Sequence, residues 1–127
     1  MMLLLEAKSN TWCPMDKKIV EIVLNRAGNY CEACGGSGYN FALHHRRLKS
    51  QGGKDEACNL MAVHHECHNM GTNAIHMNPA KSVAMGWIVP SWAKPSEFPL
   101  HLSDGSKVLL DNEGSYQLVE GGNNGNN

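Results

Sequence analysis

The sequence predicts a small α+β domain held together in part by bound metal. Three observations carry this. Residues 17–27 place apolar side chains at helical spacing. Residues 41–44 and 59–63, and again 108–111 and 116–119, are short apolar runs bounded by turn residues, as strands are. Two ligand pairs, Cys31-x-x-Cys34 and His64-x-x-Cys67, have zinc-knuckle spacing. A domain takes ~100–200 residues, so the 127 residues are one domain with short appendages. Aromatic residues are only 6% of the chain, which limits the core and gives a metal staple something to do.

The elements follow in order. Residues 1–15 show no clear period and read as an N-terminal extension. Its apolar start, residues 1–5, is too short for a membrane span or a signal sequence. Asp16 is placed to N-cap a helix over Lys17–Ala27, with Ile19, Val20, Ile22, Val23 and Ala27 on one broad face and Gly28 at its end. Residues 41–44 form a first strand, 49–55 a glycine-containing loop, 59–63 the returning strand, and a short helix starts near His65. Asn78-Pro79 opens another helix, as N-cap and N1, and Gly86 closes it. Trp87 and Trp92 are expected to supply core bulk. Residues 108–111 and 116–119 flank a turn and read as a hairpin within 101–120, and the Gly/Asn-rich stretch 121–127 as a disordered tail.

Charge and cysteine usage narrow the function classes. The net charge of -1 excludes a polycation that holds nucleic acid by bulk charge. The first 60 residues carry eight basic and six acidic side chains, so a nucleic-acid face belongs there. Five cysteines, an odd number, argue against a secreted disulfide framework and for a reducing compartment where thiolates bind metal.

Two thiolates one tight turn apart can share a tetrahedral ion, and His64 with Cys67 can complete it. Cys31, Cys34, His64 and Cys67 are therefore the expected structural zinc set, with Cys13 or Cys58 as alternatives to His64. Such a site can contribute on the order of 10 kcal/mol to folding. The remaining histidines also cluster. His44 and His45 are neighbours at a strand end and point to opposite sides, so one can ligate an ion while the other acts elsewhere. His68, after the second knuckle, could approach the same ion as His44.

Taken together, Cys31-x-x-Cys34, Leu43-His44-His45-Arg46-Arg47, Gly52-Gly53, Asn59-Leu60, His64-x-x-Cys67-His68 and His76 resemble an HNH endonuclease. The continuation through Ile75-His76, Pro79, Gly86-Trp87-Ile88-Val89-Pro90, Trp92 and Pro95 resembles phage-encoded members. The resemblance implies a ββα-metal (His-Me finger) core over residues 16–100, in which a two-stranded hairpin and a helix surround one catalytic divalent ion. It assigns His44, His68 and His76 to that ion, His45 to the general base, and Asn59 to orienting the base and tying the loop. On one straight helix His68 and His76 would lie ~80° and ~12 Å apart, so His76 joins the site only if the chain loops out through Gly71.

The implied reaction is metal-dependent hydrolysis of double-stranded DNA to 5′-phosphate and 3′-hydroxyl ends. Mg²⁺ is the implied ion, with Mn²⁺ or Ni²⁺ as substitutes. An imidazole near its ordinary pKa of ~6.5 can take a proton from water at neutral pH. Arg46, Arg47, Lys49 and Lys54 are expected to contact phosphates. One finger cuts one strand, so double-strand cleavage needs a homodimer or two events. A free-standing or homing enzyme in the cytoplasm of a phage's bacterial host, without a membrane partner, fits this reading. The alternative is a non-catalytic zinc-ribbon DNA-binding module.

Overall fold

The computed structural model describes residues 15–70 and 74–119. Cys13, Gly71, almost all of the expected N-terminal extension and the tail lie outside the described residues. Helix α1 spans Lys17–Ala27. Asp16 caps it by accepting from Lys18 N at 2.8 Å, and Gly28 ends it in the left-handed conformation. Strand β1 (Ala42–His45) pairs antiparallel with β2 (Leu60–Val63), His44 opposite Met61 and His45 opposite Leu60. The short helix expected near His65 is present as a single turn of π-helix over Glu66–Met70.

The β1–β2 hairpin is the centre of the molecule because β2 is buried on both faces. Leu60 and Ala62 pack with Val23 and Ala27 of α1 and with Ala57. Met61 and Val63 face the other way, into a cluster with Ile75, Trp87, Leu100, Val108 and Leu110. This two-sided burial explains why the strand reads as a continuous apolar run rather than an alternating one. An ion pair buried beside the hairpin ties the elements together. Arg26 of α1 donates through Nε and Nη2 to Glu32, at 2.7 and 2.8 Å. Glu32 also accepts from Ala62 N and from the Tyr116 hydroxyl. Every lone pair so engaged offsets part of the cost of taking the two charges out of water.

Helix α2 spans Pro79–Met85, with Pro79 in the first turn. The Asn78 amide turns back to donate to Ala74 O at 3.2 Å. Gly86 ends α2 at φ 79°, where a Cβ would sit 2.0 Å from Pro99 O, so only glycine fits. The C-terminal part is a three-stranded sheet rather than a lone hairpin: β3 (Leu100–His101) pairs with β4 (Lys107–Leu110), which pairs with β5 (Tyr116–Leu118). Leu100, Val108 and Leu110 belong to the same core as the β1–β2 hairpin. Trp87 is buried as expected, but Trp92 is not core: it is 80% exposed, with its ring edge-on to Phe98. Among the described residues no helix is long and apolar enough to cross a membrane.

Candidate metal centres and active site

The turn after α1 brings Cys31 and Cys34 against His64 and Cys67 at the end of β2. The four ligand atoms lie within 4.8 Å of one another. His64 Nδ1 is 3.3 Å from Cys34 Sγ and 3.8 Å from Cys67 Sγ. Zn–S and Zn–N bonds at tetrahedral angles put S and N about 3.6 Å apart, so these distances fit a shared ion. The tautomer fits too. His64 Nε2 donates to Ser37 O at 3.0 Å, leaving Nδ1 as the lone pair. Gly38 permits this close approach, since a Cβ there would meet His64 Nε2 at 3.0 Å. Of the expected alternatives to His64, Cys58 is buried in the core and is not a member of the group.

The thiols respond to this setting. Burial and the neighbouring Cys31 push the Cys67 thiol up to about 12 in the absence of a cation. Burial also works against the Cys31 thiolate, but the backbone N–H groups of Cys34 and His64, each 3.4 Å from its sulfur, outweigh it and lower its pKa. A divalent ion would hold all three thiols ionised.

The second cluster is His44, His68 and His76, whose nearest ring nitrogens also lie within 4.8 Å. The elements explain the convergence. His44 faces the Met61 side of the hairpin, inside the molecule, and is 1% exposed. His68 comes from the π-turn, one residue after Cys67. His76 sits on a single 3-10 turn, Ile75–Met77. The chain therefore does not run as one straight helix from His68 to His76, and their Nε2 atoms come to 3.1 Å. Nitrogens sharing a tetrahedral ion lie about 3.3 Å apart.

His44 shows most clearly what the cluster fits. Its Nε2 donates to the backbone carbonyl of Trp87 at 2.6 Å, which fixes the tautomer. Its Nδ1 is buried and has no hydrogen-bond partner. Burial first, with the neighbouring imidazoles adding to it against the Trp87 carbonyl, lowers His44 to about 3, and burial with His76 lowers His68. Both rings are thus neutral at pH 7, the state a metal ligand needs.

His45 points to the other side of the strand. Its Nε2 donates to Asp55 Oδ1 at 2.7 Å, a contact the sequence reading did not include. Asn59 was expected to orient the base and tie the loop; its amide hydrogen-bonds to the loop and to neither histidine. It is fully buried, accepts from Arg47 N at 2.7 Å, and donates to Arg47 O and Lys54 O. It ties the loop that carries Asp55.

The basic segment needs one correction. Arg46 was expected at a phosphate, yet it is 0% exposed. Its guanidinium donates to the carbonyls of Gly86, Cys58, Pro95 and Phe98. Strand alternation continues past His45 and turns Arg46 inward with His44. Arg47 is half-buried and donates Nε to Gln51 O. Lys54 is exposed. Lys49 is also exposed, with Nζ 3.8 Å from Asp55. Arg47 and Lys54 line a cleft of 140 Å³ together with Gly52, Gly53, Glu56 and Pro95.

No curated protein and no solved structure matches the chain. The family model described as HNH endonuclease matches residues 31–74. That span opens at the first cysteine of the thiolate cluster and takes in His44, His45, Asp55, Asn59, His64, Cys67 and His68, stopping just short of His76. The segment that carries all four ligands of the first cluster and two of the three imidazoles of the second is thus similar to the HNH endonuclease family.

Proposed function

We propose that the protein is a divalent-metal-dependent endonuclease acting on double-stranded DNA. One observation carries the reading: His44, His68 and His76 converge, and His44 offers a buried nitrogen with no protein partner. A zinc ribbon that only binds DNA gives no reason for a second cluster. In this reading Cys31, Cys34, His64 and Cys67 hold a structural zinc, and the three imidazoles hold the catalytic ion. Their donor set has no carboxylate, which favours Ni²⁺ or Zn²⁺ over the Mg²⁺ that the resemblance implied.

When bound, the ion would polarise the scissile phosphate and neutralise charge developing on the leaving 3′ oxygen. The chain's residues do the rest. His45 lies outside the ligand cluster, and its Nδ1 accepts the proton of the attacking water. Arg47, Lys49 and Lys54 hold neighbouring phosphates. Trp92 projects from the segment that Arg46 anchors to the end of β1, where its indole can stack on a base. The products are 5′-phosphate and 3′-hydroxyl ends. A monomer nicks, and a homodimer would cut both strands. A free-standing phage enzyme working in the bacterial cytoplasm is part of the same proposal.

The test is supercoiled plasmid incubated with purified protein and Mg²⁺, Mn²⁺, Ni²⁺ or Zn²⁺ in turn. Nicking should appear with the transition ions and stop with EDTA. His45→Ala should abolish it while keeping the zinc content and melting temperature. Plasmid bound but left intact with every ion would put the zinc-ribbon reading in its place.

A further inference from the structure

We infer that Asp55 is the positioning residue of the proton acceptor: its carboxylate takes the Nε2–H of His45 and so makes Nδ1 the nitrogen that meets the attacking water. The inference deepens the nuclease reading and rests on His45 being its base.

An ionised carboxylate only accepts hydrogen bonds. The 2.7 Å contact between Asp55 Oδ1 and His45 Nε2 therefore requires the proton on Nε2. In the neutral ring the lone pair is then on Nδ1, which no described residue engages. The neighbouring imidazole is set in the same way: His44 donates its Nε2–H to Trp87 O and is left with Nδ1. Adjacent rings on opposite faces thus commit the same nitrogen to the protein and leave the same nitrogen without a hydrogen-bond partner among the described residues.

Asp55 is itself held in place. The peptide unit that joins it to Lys54 gives its carbonyl to the Asn59 amide at 2.9 Å, and Asn59 grips both backbone groups of Arg47 at the other end of the loop. Asn59 therefore acts on the base at one remove, through the backbone that carries Asp55. The hydrogen bond is sheltered but not sealed, with 16% of the His45 side chain and 32% of the Asp55 side chain exposed. Lys49 Nζ, 3.8 Å from the same oxygen, balances the carboxylate charge.

The experiment combines a spectroscopic readout with steady-state kinetics on zinc-loaded protein. Long-range ¹H–¹⁵N correlations at pH 8 should show His45 as the Nε2–H tautomer in the wild type. Asp55→Leu should mix the two tautomers and lower kcat for plasmid nicking by about 10- to 100-fold, the range for losing one charge-assisted bond. KM should change by less than about threefold, because a loop that merely bound DNA less well would move KM instead. Asp55→Glu should recover the tautomer and part of kcat. An Nδ1–H tautomer in the wild type would overturn the inference, and so would Asp55→Leu within twofold of wild-type kcat. If Asp55→Leu melts far below the wild type, the wild-type spectrum and the Asp55→Glu variant decide. The spectrum needs no turnover. If His45→Ala cleaves like wild type, the nuclease role of His45 fails while the tautomer assignment is judged separately.

Discussion

Replacing Arg46 with methionine should destabilise the fold rather than weaken a DNA contact. Four carbonyls, those of Gly86, Cys58, Pro95 and Phe98, accept from this one guanidinium. A buried carbonyl stripped of its partner costs about 1–3 kcal/mol. Members of one network do not add fully, so a gross loss of about 4–8 kcal/mol is reasonable. Part is returned, because burial, assisted by the charge of Arg26, lowers the Arg46 pKa to about 10. Removing that strained charge relieves about 3 kcal/mol at about 1.4 kcal/mol per pKa unit. The net loss is then on the order of 3 kcal/mol, a large share of a typical stability of about 5–15 kcal/mol. For a domain of this size it lowers Tm by about 10–15 °C. Circular dichroism melts read this directly, with fluorescence anisotropy for DNA binding. Arg47→Ala is the control: it should keep Tm within about 3 °C and weaken DNA binding in a salt-dependent way. An Arg46→Met protein that melts like wild type but loses DNA affinity would refute the reasoning.

Further outcomes follow from the same geometry. Cys67→Ser should lose one equivalent of zinc and lower Tm. Metal analysis by mass spectrometry checks the first, and a zinc-free wild type would remove the site. Trp92→Ala should leave Tm unchanged and raise KM for plasmid at least about fivefold, from a stacking contribution of about 1–3 kcal/mol per base; cleavage of the base-free ester bis(p-nitrophenyl) phosphate should not change. Burial, opposed by the Trp87 carbonyl and reinforced by the other imidazoles, depresses His44 to about 3 in the folded protein, against ~6.5 unfolded. The unfolded chain therefore binds the extra proton between these values. The contribution is present above pH ~6.5 and lost as pH falls toward 3. Melting temperature should fall more steeply with acid in the wild type than in His44→Gln, by at most about 1.4 kcal/mol per pH unit. Both proteins carry the same thiolate cluster, so the difference isolates His44, and parallel curves would refute the claim.

Much of the molecule was legible because its signals are local. The helix cap at Asp16, the glycine after Ala27 and the apolar stripe between them need no tertiary information. The knuckle pairs were legible for the same reason: a tight turn fixes which ligands can share an ion. Arg46 was misread because its chemistry was weighed without its side of the strand. The alternation that sends His44 in and His45 out also sends Arg46 in, and its backbone N–H still donates to Asn59 O at 2.7 Å. Trp92 could not be told from Trp87 by composition, which counts aromatics without locating them. Asp55 reaches His45 across a loop with no periodicity, so no spacing rule flags the contact. The two-residue strand β3 is too short for any alternation to register.

Cys67 and His68 are consecutive, one turned to the thiolates and the other to the imidazoles. A single peptide bond joins the two ligand clusters, so one short turn sets the position of a sulfur for one and a nitrogen for the other. An ion held by the four sulfur and nitrogen ligands would steady that turn, and with it the imidazole it presents.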